Sequence, residues 1–268
     1  ADAKFVEVEN PISSDLDIMR FSILPNLLQL AARNSARGNP NNSLAEIGKV
    51  FLGIEPQEQK DVYALLRSGT RAGPELNNDA SEFDFFDIKS DVEQVIAAYG
   101  FAASNLQISC DNLPDYLHPG RAAFFKLGKQ EVAIFGQLHP VVAKNFDLKA
   151  NVFVAEVFLD NIPLSRNKIK EYQRNDLQKV KRDFAFIVDE KILAADIIRE
   201  IYKARKDLID DVVIFDYYQG DNIDKGKKSL AFNVSIQPLD KNLTGEEIDL
   251  IADDIIDNVT NKFAAKLR

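Results

Sequence analysis

The chain has no tryptophan, one cysteine (Cys110), one methionine and two histidines (His118 and His139) in 268 residues. A single cysteine excludes a disulfide framework, and with two histidines it leaves too few soft ligands for a zinc quartet. Cys110 closes the apolar run LQISC, where a small buried residue is the expected reading rather than a nucleophile. No apolar run approaches the ~20 residues needed to cross a bilayer. The first residues, ADAKFVEVENP, also lack the basic-then-apolar order of a signal peptide, so a cytoplasmic chain with no membrane partner is expected. Positive charge is scarce too: the net charge is −9. That balance argues against a broad grip on a nucleic-acid backbone, which needs Lys and Arg to displace counterions, and leaves room only for a local one.

What is present is a globular composition, 46% hydrophobic, in a length suited to one large domain or two ordinary ones. There is no repeat, low-complexity tract or heptad array. Two segments differ in organisation, residues 1–160 and 179–268, joined by a polar connector over 161–178 without sustained periodicity. In the first segment, Ser22 is placed to cap a helix carrying Leu24, Leu27, Leu28 and Ala31 on one stripe, with Pro25 in its tolerated first turn. SLAEIGKVFLG and VYALLRSG read as strands, and FFDIKSDVEQVIAAYG as a helix that turns Ile88, Val92, Val95 or Ile96, and Tyr99 inward. LQISC, RAAFFKLG, EVAIFGQL and VFVAEVFL follow as extended runs. The sum is an antiparallel sheet flanked by helices, an α+β fold.

The second segment reads strand VKRDFAFIVD, helix LAADIIREIYKA, strand DDVVIFDYY, strand KSLAFNVSIQ, then a long helix opened by a Thr244–Glu247 capping box. Ile248, Ile251, Ile255, Val259 and Phe263 form that helix's buried stripe. With a candidate short last strand near AKLR, the order βαββα(β) is the ferredoxin-like arrangement, whose two helices cover one sheet face and leave the other open.

The hairpin IFDYYQGDNIDKGKKSLAFNVSIQ sets the functional question. Strict alternation puts Val213, Phe215 and Tyr217 under the helices with Leu230, Phe232, Val234 and Ile236. It leaves Asp216, Tyr218, Ser229, Ala231 and Asn233 on the open face. A base laid there would stack on Tyr218, a contact worth ~1–3 kcal/mol, with small Ser229 and Ala231 admitting it. Asp216 would accept hydrogen bonds from a guanine edge, and Lys225, Lys227 and Lys228 are close enough in sequence to meet phosphates. On spacing alone the ordinary reading, a strand tyrosine beside a solvated turn, is favoured.

VENPISSDLDIMRFSILPNLLQLAARNSARGN, EIGKVF, DFFDIKSDVE, LHPGRAA and GQLHP, then KRDFAFIVDE and FDYYQG…GKKSLAF, together resemble the C-terminal portion of the bacterial phenylalanyl-tRNA synthetase beta subunit over essentially the whole chain. The resemblance implies a class II synthetase-like domain without catalytic competence, followed by a ferredoxin-fold domain that binds the anticodon of the tRNA for phenylalanine. It implies an alpha subunit as partner in an alpha-two beta-two enzyme. ATP and Mg2+ are expected for that whole enzyme, with ATP in the alpha subunit and no cofactor here. It also implies that the editing module and a magnesium site lie upstream of Ala1. The family's anticodon contacts carry over to Asp216, Tyr218, Ser229 and Ala231, positions that the pleat had already gathered. Two departures stand out: Lys179 precedes the Arg-Asp pair where the family has Pro, and Ser90 replaces a usual Gly.

The other candidates have ordinary readings. His118 and His139 each precede Pro, so turn geometry explains them better than a catalytic pair. Asp84, Asp87, Asp91 and Glu93 suit a helix N-terminus as well as a metal. Arg20 and Arg121 lack the motifs that accompany an ATP clamp, so no catalytic residue and no metal site is expected. The helix after Ser22 suits the domain core and a subunit interface equally. The alternative function is a ferredoxin-like small-molecule sensor or protein-interaction module; an independent ligase is disfavoured by the missing catalytic motifs.

Overall fold

A computed structural model describes residues 5–71, 81–163, 175–220 and 222–268. The chain forms two compact units, residues 1–169 and 170–268.

The first unit is built on a six-stranded sheet of β1 (Asn42–Phe51), β2 (Gln59–Ser68), β3 (Gln107–Ser109), β4 (Leu117–Leu127), β5 (Gln130–Leu138) and β6 (Val152–Phe158) in the order β1-β2-β6-β5-β4-β3. Every pairing is antiparallel. The central strands β5 and β6 are buried almost throughout because both sheet faces are covered. Helix α1 (Leu24–Ala36) buries the expected stripe Leu24, Leu27, Leu28 and Ala31 against Leu66, Phe124, Ile134 and Val154. Helix α2 (Phe85–Ala98) buries Ile88, Val92 and Ile96 against Phe125, Phe135, Phe153 and Val157 on the other face. Each fully buried side chain of this kind contributes ~1.5–3 kcal/mol.

Both helices start on side-chain oxygens. Asp84 accepts from the N–H groups of Phe86 (2.7 Å) and Asp87 (3.2 Å), and Asp87 reaches back to Asp84 N–H (2.7 Å), a reciprocal box that satisfies orphan donors. At α1 the expected Ser22 cap is more elaborate. Ser22 Oγ accepts from Leu24 N–H (3.1 Å) and donates to Glu156 Oε1 on β6 (2.7 Å), which also accepts from Ile23 N–H (3.1 Å). Thus a buried carboxylate of the central strand finishes the first turn of α1.

Three expectations need correction. Tyr99 does not face inward; it follows the last residue of α2 as its C-cap and is 36% exposed. Cys110 is exposed because edge strand β3 ends at Ser109, one residue short of it. A short helix α3 (Pro140–Asn145) stands where only a turn was expected, with Pro140 at its start. Of the connector, residues 164–174 lie outside the described residues.

The second unit runs β7 (Val180–Asp189), α4 (Ala194–Ala204), β8 (Ile209–Tyr218), β9 (Lys227–Ile236), α5 (Gly245–Phe263) and β10 (Lys266–Leu267), with sheet order β10-β7-β9-β8. This is the ferredoxin-like topology. Ile197 and Ile201 of α4, with Ile251, Ile255 and Val259 of α5, pack on Phe184, Phe186, Val188, Leu230, Phe232 and Val234. The Thr244–Glu247 box forms as read from the sequence. Both helices lie on one face, so among the described residues of this unit the other face carries no helix.

Candidate nucleic-acid interface

The helix-free face is defined by register. Directly opposed residues in antiparallel strands share a face, and the buried pairs Phe184–Phe232 and Phe186–Leu230 mark the helix side. Between them, Ala185–Ala231, Ile187–Ser229 and Asp183–Asn233 belong to the other face. On β8, Val213 pairs with Asn233, Asp216 with Ala231 and Tyr218 with Ser229. Asp216, Tyr218, Ser229 and Ala231 are therefore brought together on the face without helices.

They arrive there by a different route from strict alternation. Ile214 pairs with Phe232 and Asp216 with Ala231, so Phe215 has no ladder partner and forms a bulge. Upstream of it the parity is reversed: Val212 and Ile214 face the helices, and Val213 faces outward with Asn233. The expected core positions of this strand are corrected accordingly, with Phe215 58%, Tyr217 56% and Val213 48% exposed. Tyr217 does pair with Leu230 on the helix side, but β8 is the sheet edge, where the helices no longer cover it.

The site contains one residue that the sequence reading did not include. Arg268 follows β10 and donates its N–H to the Ala185 carbonyl (2.9 Å), and its guanidinium carbon stands 5.7 Å from the Tyr218 ring centroid. Strands β10 and β8 are opposite edges of the sheet, three strand spacings of ~4.8 Å apart. The contact therefore requires both side chains to lie inward over β7 and β9. This accounts for the burial of Ser229 (4% exposed) and Ala231 (8%) on a face without helices: they form a floor beneath a tyrosine–guanidinium pair. Such a cation–π contact is worth ~0.5–1 kcal/mol at an exposed site, weak enough to exchange for another partner. Asp216 is exposed, and among the described residues no side chain bonds its carboxylate.

The three lysines separate. Lys225 is exposed in the turn. Lys227 opposes Asp189 on the helix-free face and reaches Asp224 at 3.4 Å. Lys228 opposes Val188 on the helix side and donates to the Glu190 carbonyl (2.8 Å), and burial pushes its ammonium below the usual lysine range. Its register places it on the face opposite to Tyr218, whereas Lys227 shares the face of Tyr218.

Elsewhere the polar candidates are occupied structurally. His118 Nδ1 accepts from Gly120 N–H (3.1 Å), and His139 Nδ1 accepts from Val141 N–H (3.3 Å) at the start of α3. Asp84 and Asp87 share Arg71 (2.8 Å each), Asp91 holds Arg67 through two bonds (2.7 and 2.8 Å), and Glu93 meets Lys89 (3.0 Å). No group of three or more metal-ligating side chains occurs among the described residues. Arg20 binds the Lys49 carbonyl (2.9 Å) and Glu46, and Arg121 binds Gln137 (3.0 Å). Lys179 and Ser90, the two departures, meet Asp210 (2.6 Å) and Gln94 (3.4 Å).

The family model of the phenylalanyl tRNA synthetase beta chain CLM domain matches residues 1–159, and that of the ferredoxin-fold anticodon binding domain matches residues 176–268. The chain is 42% identical over 263 residues to the phenylalanine–tRNA ligase beta subunit of Rhodospirillum rubrum, covering 97% of this chain and 33% of that protein. It is 39% identical over 267 residues to that of Paramagnetospirillum magneticum, covering 98% and 33%. It thus spans about a third of the length of the curated relatives it matches. Among solved structures it is similar to a pyrrolysyl tRNA synthetase from Desulfitobacterium hafniense, with a TM-score of 0.43 and 13% identity over 57% of this chain and 51% of that one. No helix among the described residues is long and apolar enough to cross a membrane. With two family models matched in order along nearly all of its length, the chain belongs to the phenylalanyl-tRNA synthetase beta chain family.

Proposed function

We propose that the second unit binds the anticodon of the tRNA for phenylalanine on its helix-free sheet face. The first unit serves as a non-catalytic scaffold for the alpha subunit of an alpha-two beta-two phenylalanine–tRNA ligase acting in the cytoplasm. The observation that carries this reading is the convergence of Tyr218, exposed Asp216 and Arg268 over a floor of small residues, in a unit that matches an anticodon-binding family model. A base takes the Tyr218 ring face that Arg268 covers in the free chain, gaining ~1–3 kcal/mol of stacking. The released guanidinium, with Lys225 and Lys227, meets phosphate, while Asp216 accepts from the N–H groups of the base edge.

ATP and Mg2+ act in the whole enzyme, with ATP in the alpha subunit. The intramolecular engagement of Arg20, whose Nε and Nη1 are taken by the Lys49 carbonyl and Glu46, supports that division. The contribution of these 268 residues to aminoacylation is positional: holding the anticodon places the distant acceptor end in the partner's site. Co-purification with a phenylalanyl-tRNA synthetase alpha subunit and this tRNA, followed by protection mapping, tests the reading. Protection of the anticodon nucleotides is expected; protection confined to the acceptor arm would contradict it.

A further inference from the structure

The position of the Tyr218 ring is set by its neighbours along the chain as well as by Arg268. A Cβ placed on Gly220 would stand 2.6 Å from Tyr218 Oη and 2.8 Å from its Cζ, and the three heavy atoms nearest that point all belong to Tyr218. Gly220 does not adopt the positive φ seen at Gly226 (81°), so its backbone would accept alanine without strain. What an alanine would displace is the ring.

The residue before Gly220 is tied down from both sides. Tyr217 Oη donates to Gln219 Oε1 (2.7 Å), and Gln219 Nε2 donates to Glu190 Oε2 (3.2 Å) in the loop after β7. Glu190 is itself fixed through its backbone: its N–H donates to the Gly226 carbonyl (2.9 Å) and its carbonyl accepts from Lys228 Nζ (2.8 Å). The loop between β8 and β9 is thereby pinned at Gln219, one residue before the point where it meets the ring.

We propose that Gly220, held by the Gln219–Glu190 brace, is a positioning residue that fixes how the Tyr218 ring lies on the sheet and so sets the strength of base stacking there. The proposal rests on the reading that Tyr218 stacks an RNA base. Gly220 and Gln219 touch no RNA in this account; they act through the ring. Their effect must therefore vanish when the ring is removed, and it must leave the salt dependence of binding unchanged, since no phosphate contact is lost.

A double-mutant cycle on the whole chain tests this, using an anticodon stem-loop of the tRNA for phenylalanine at two salt concentrations and melting curves to check folding. Tyr218→Ala is expected to weaken binding about 5-fold to 150-fold, the equivalent of one lost stacking contact. Gly220→Ala is expected to show part of that loss, and Tyr218→Ala with Gly220→Ala to bind as Tyr218→Ala alone. Gln219→Ala, which keeps the glycine and cuts the brace, should follow the same pattern and decides the matter if Gly220→Ala does not fold. Parent-like binding by both Gly220→Ala and Gln219→Ala, or an equal loss with and without Tyr218, overturns the positioning role while leaving stacking intact. Parent-like binding by Tyr218→Ala would instead overturn the stacking reading, and the inference with it.

Discussion

Replacing Phe215 by alanine distinguishes a bulged β8 from a regular one. In a regular strand Phe215 would lie beside Phe232 under the helices, and truncating it would cost the ~3–5 kcal/mol typical of a buried phenylalanine. In the structure Phe215 is 58% exposed and has no ladder partner, whereas Phe232 is fully buried. A phenylalanine contributes ~1.5–3 kcal/mol when fully buried, so what remains to be lost at Phe215 is about 1 kcal/mol. Phe232→Ala should cost ~3–5 kcal/mol. Because the chain holds two compact units, the quantity to measure is the opening free energy of β7 and β9 amides by hydrogen exchange rather than one global midpoint. Equal losses in Phe215→Ala and Phe232→Ala would refute the bulge. Deletion makes the test sharper. Removing Phe215 leaves Ile214 and Asp216 as successive residues already on opposite faces, so stem-loop binding should survive. Removing Tyr217 lets Phe215 face Ala231 and puts Asp216 opposite Leu230 on the helix side while Tyr218 keeps Ser229, so the contribution of Asp216 to binding should be lost.

Further outcomes follow from the buried and surface charges. Burial raises the Glu156 carboxyl above its ordinary range against the opposing bonds from Ser22 and Ile23. A raised acid binds its proton more tightly in the folded state, so this group favours folding at low pH, and the advantage is lost as pH climbs from the unfolded pKa through the folded one. Glu156→Gln, whose Oε1 accepts the same two bonds, should melt higher than the parent at neutral pH, with the gap closing toward about pH 4. Glu156→Ala strands the Ile23 N–H and should cost ~1–3 kcal/mol for that group alone. Lys227→Ala should lower the slope of log affinity against log salt by about 1. Lys228→Met, on the opposite face, should leave that slope unchanged. Thr244→Ala should cost ~1 kcal/mol through the lost cap of α5, read by amide exchange in its first turn.

The legible parts of this protein were those in which local chemistry and tertiary packing agree. The Thr244–Glu247 box and the Ile251, Ile255 and Val259 stripe announce α5, and the same holds for Leu24, Leu27 and Leu28 of α1. The site face was legible in part. Asp216 and Tyr218 lie downstream of the bulge, where strict alternation happens to give the right parity; Val213 lies upstream, where it gives the wrong one. Nothing local marks Phe215 as the inserted residue, because a bulge of this kind requires no glycine and its position is fixed by what β9 offers across the ladder. The Arg268 contact was hidden for a different reason: Arg268 is 50 positions from Tyr218, and only the sheet order β10-β7-β9-β8 brings the two over a common floor. Lys228 illustrates the converse, since proximity in sequence grouped it with Lys227 and the pleat sets the two on opposite faces.

The most direct test of the account is the affinity of the 268-residue chain for the anticodon stem-loop, with Tyr218→Ala and Asp216→Ala measured beside the parent at low and moderate salt. Tyr218→Ala is expected to lose about 1–3 kcal/mol with an unchanged salt slope, as for a stacking contact. Asp216→Ala is expected to narrow the preference among stem-loops differing in one anticodon base. Parent-like affinity and preference in both variants, with folding intact, would contradict it.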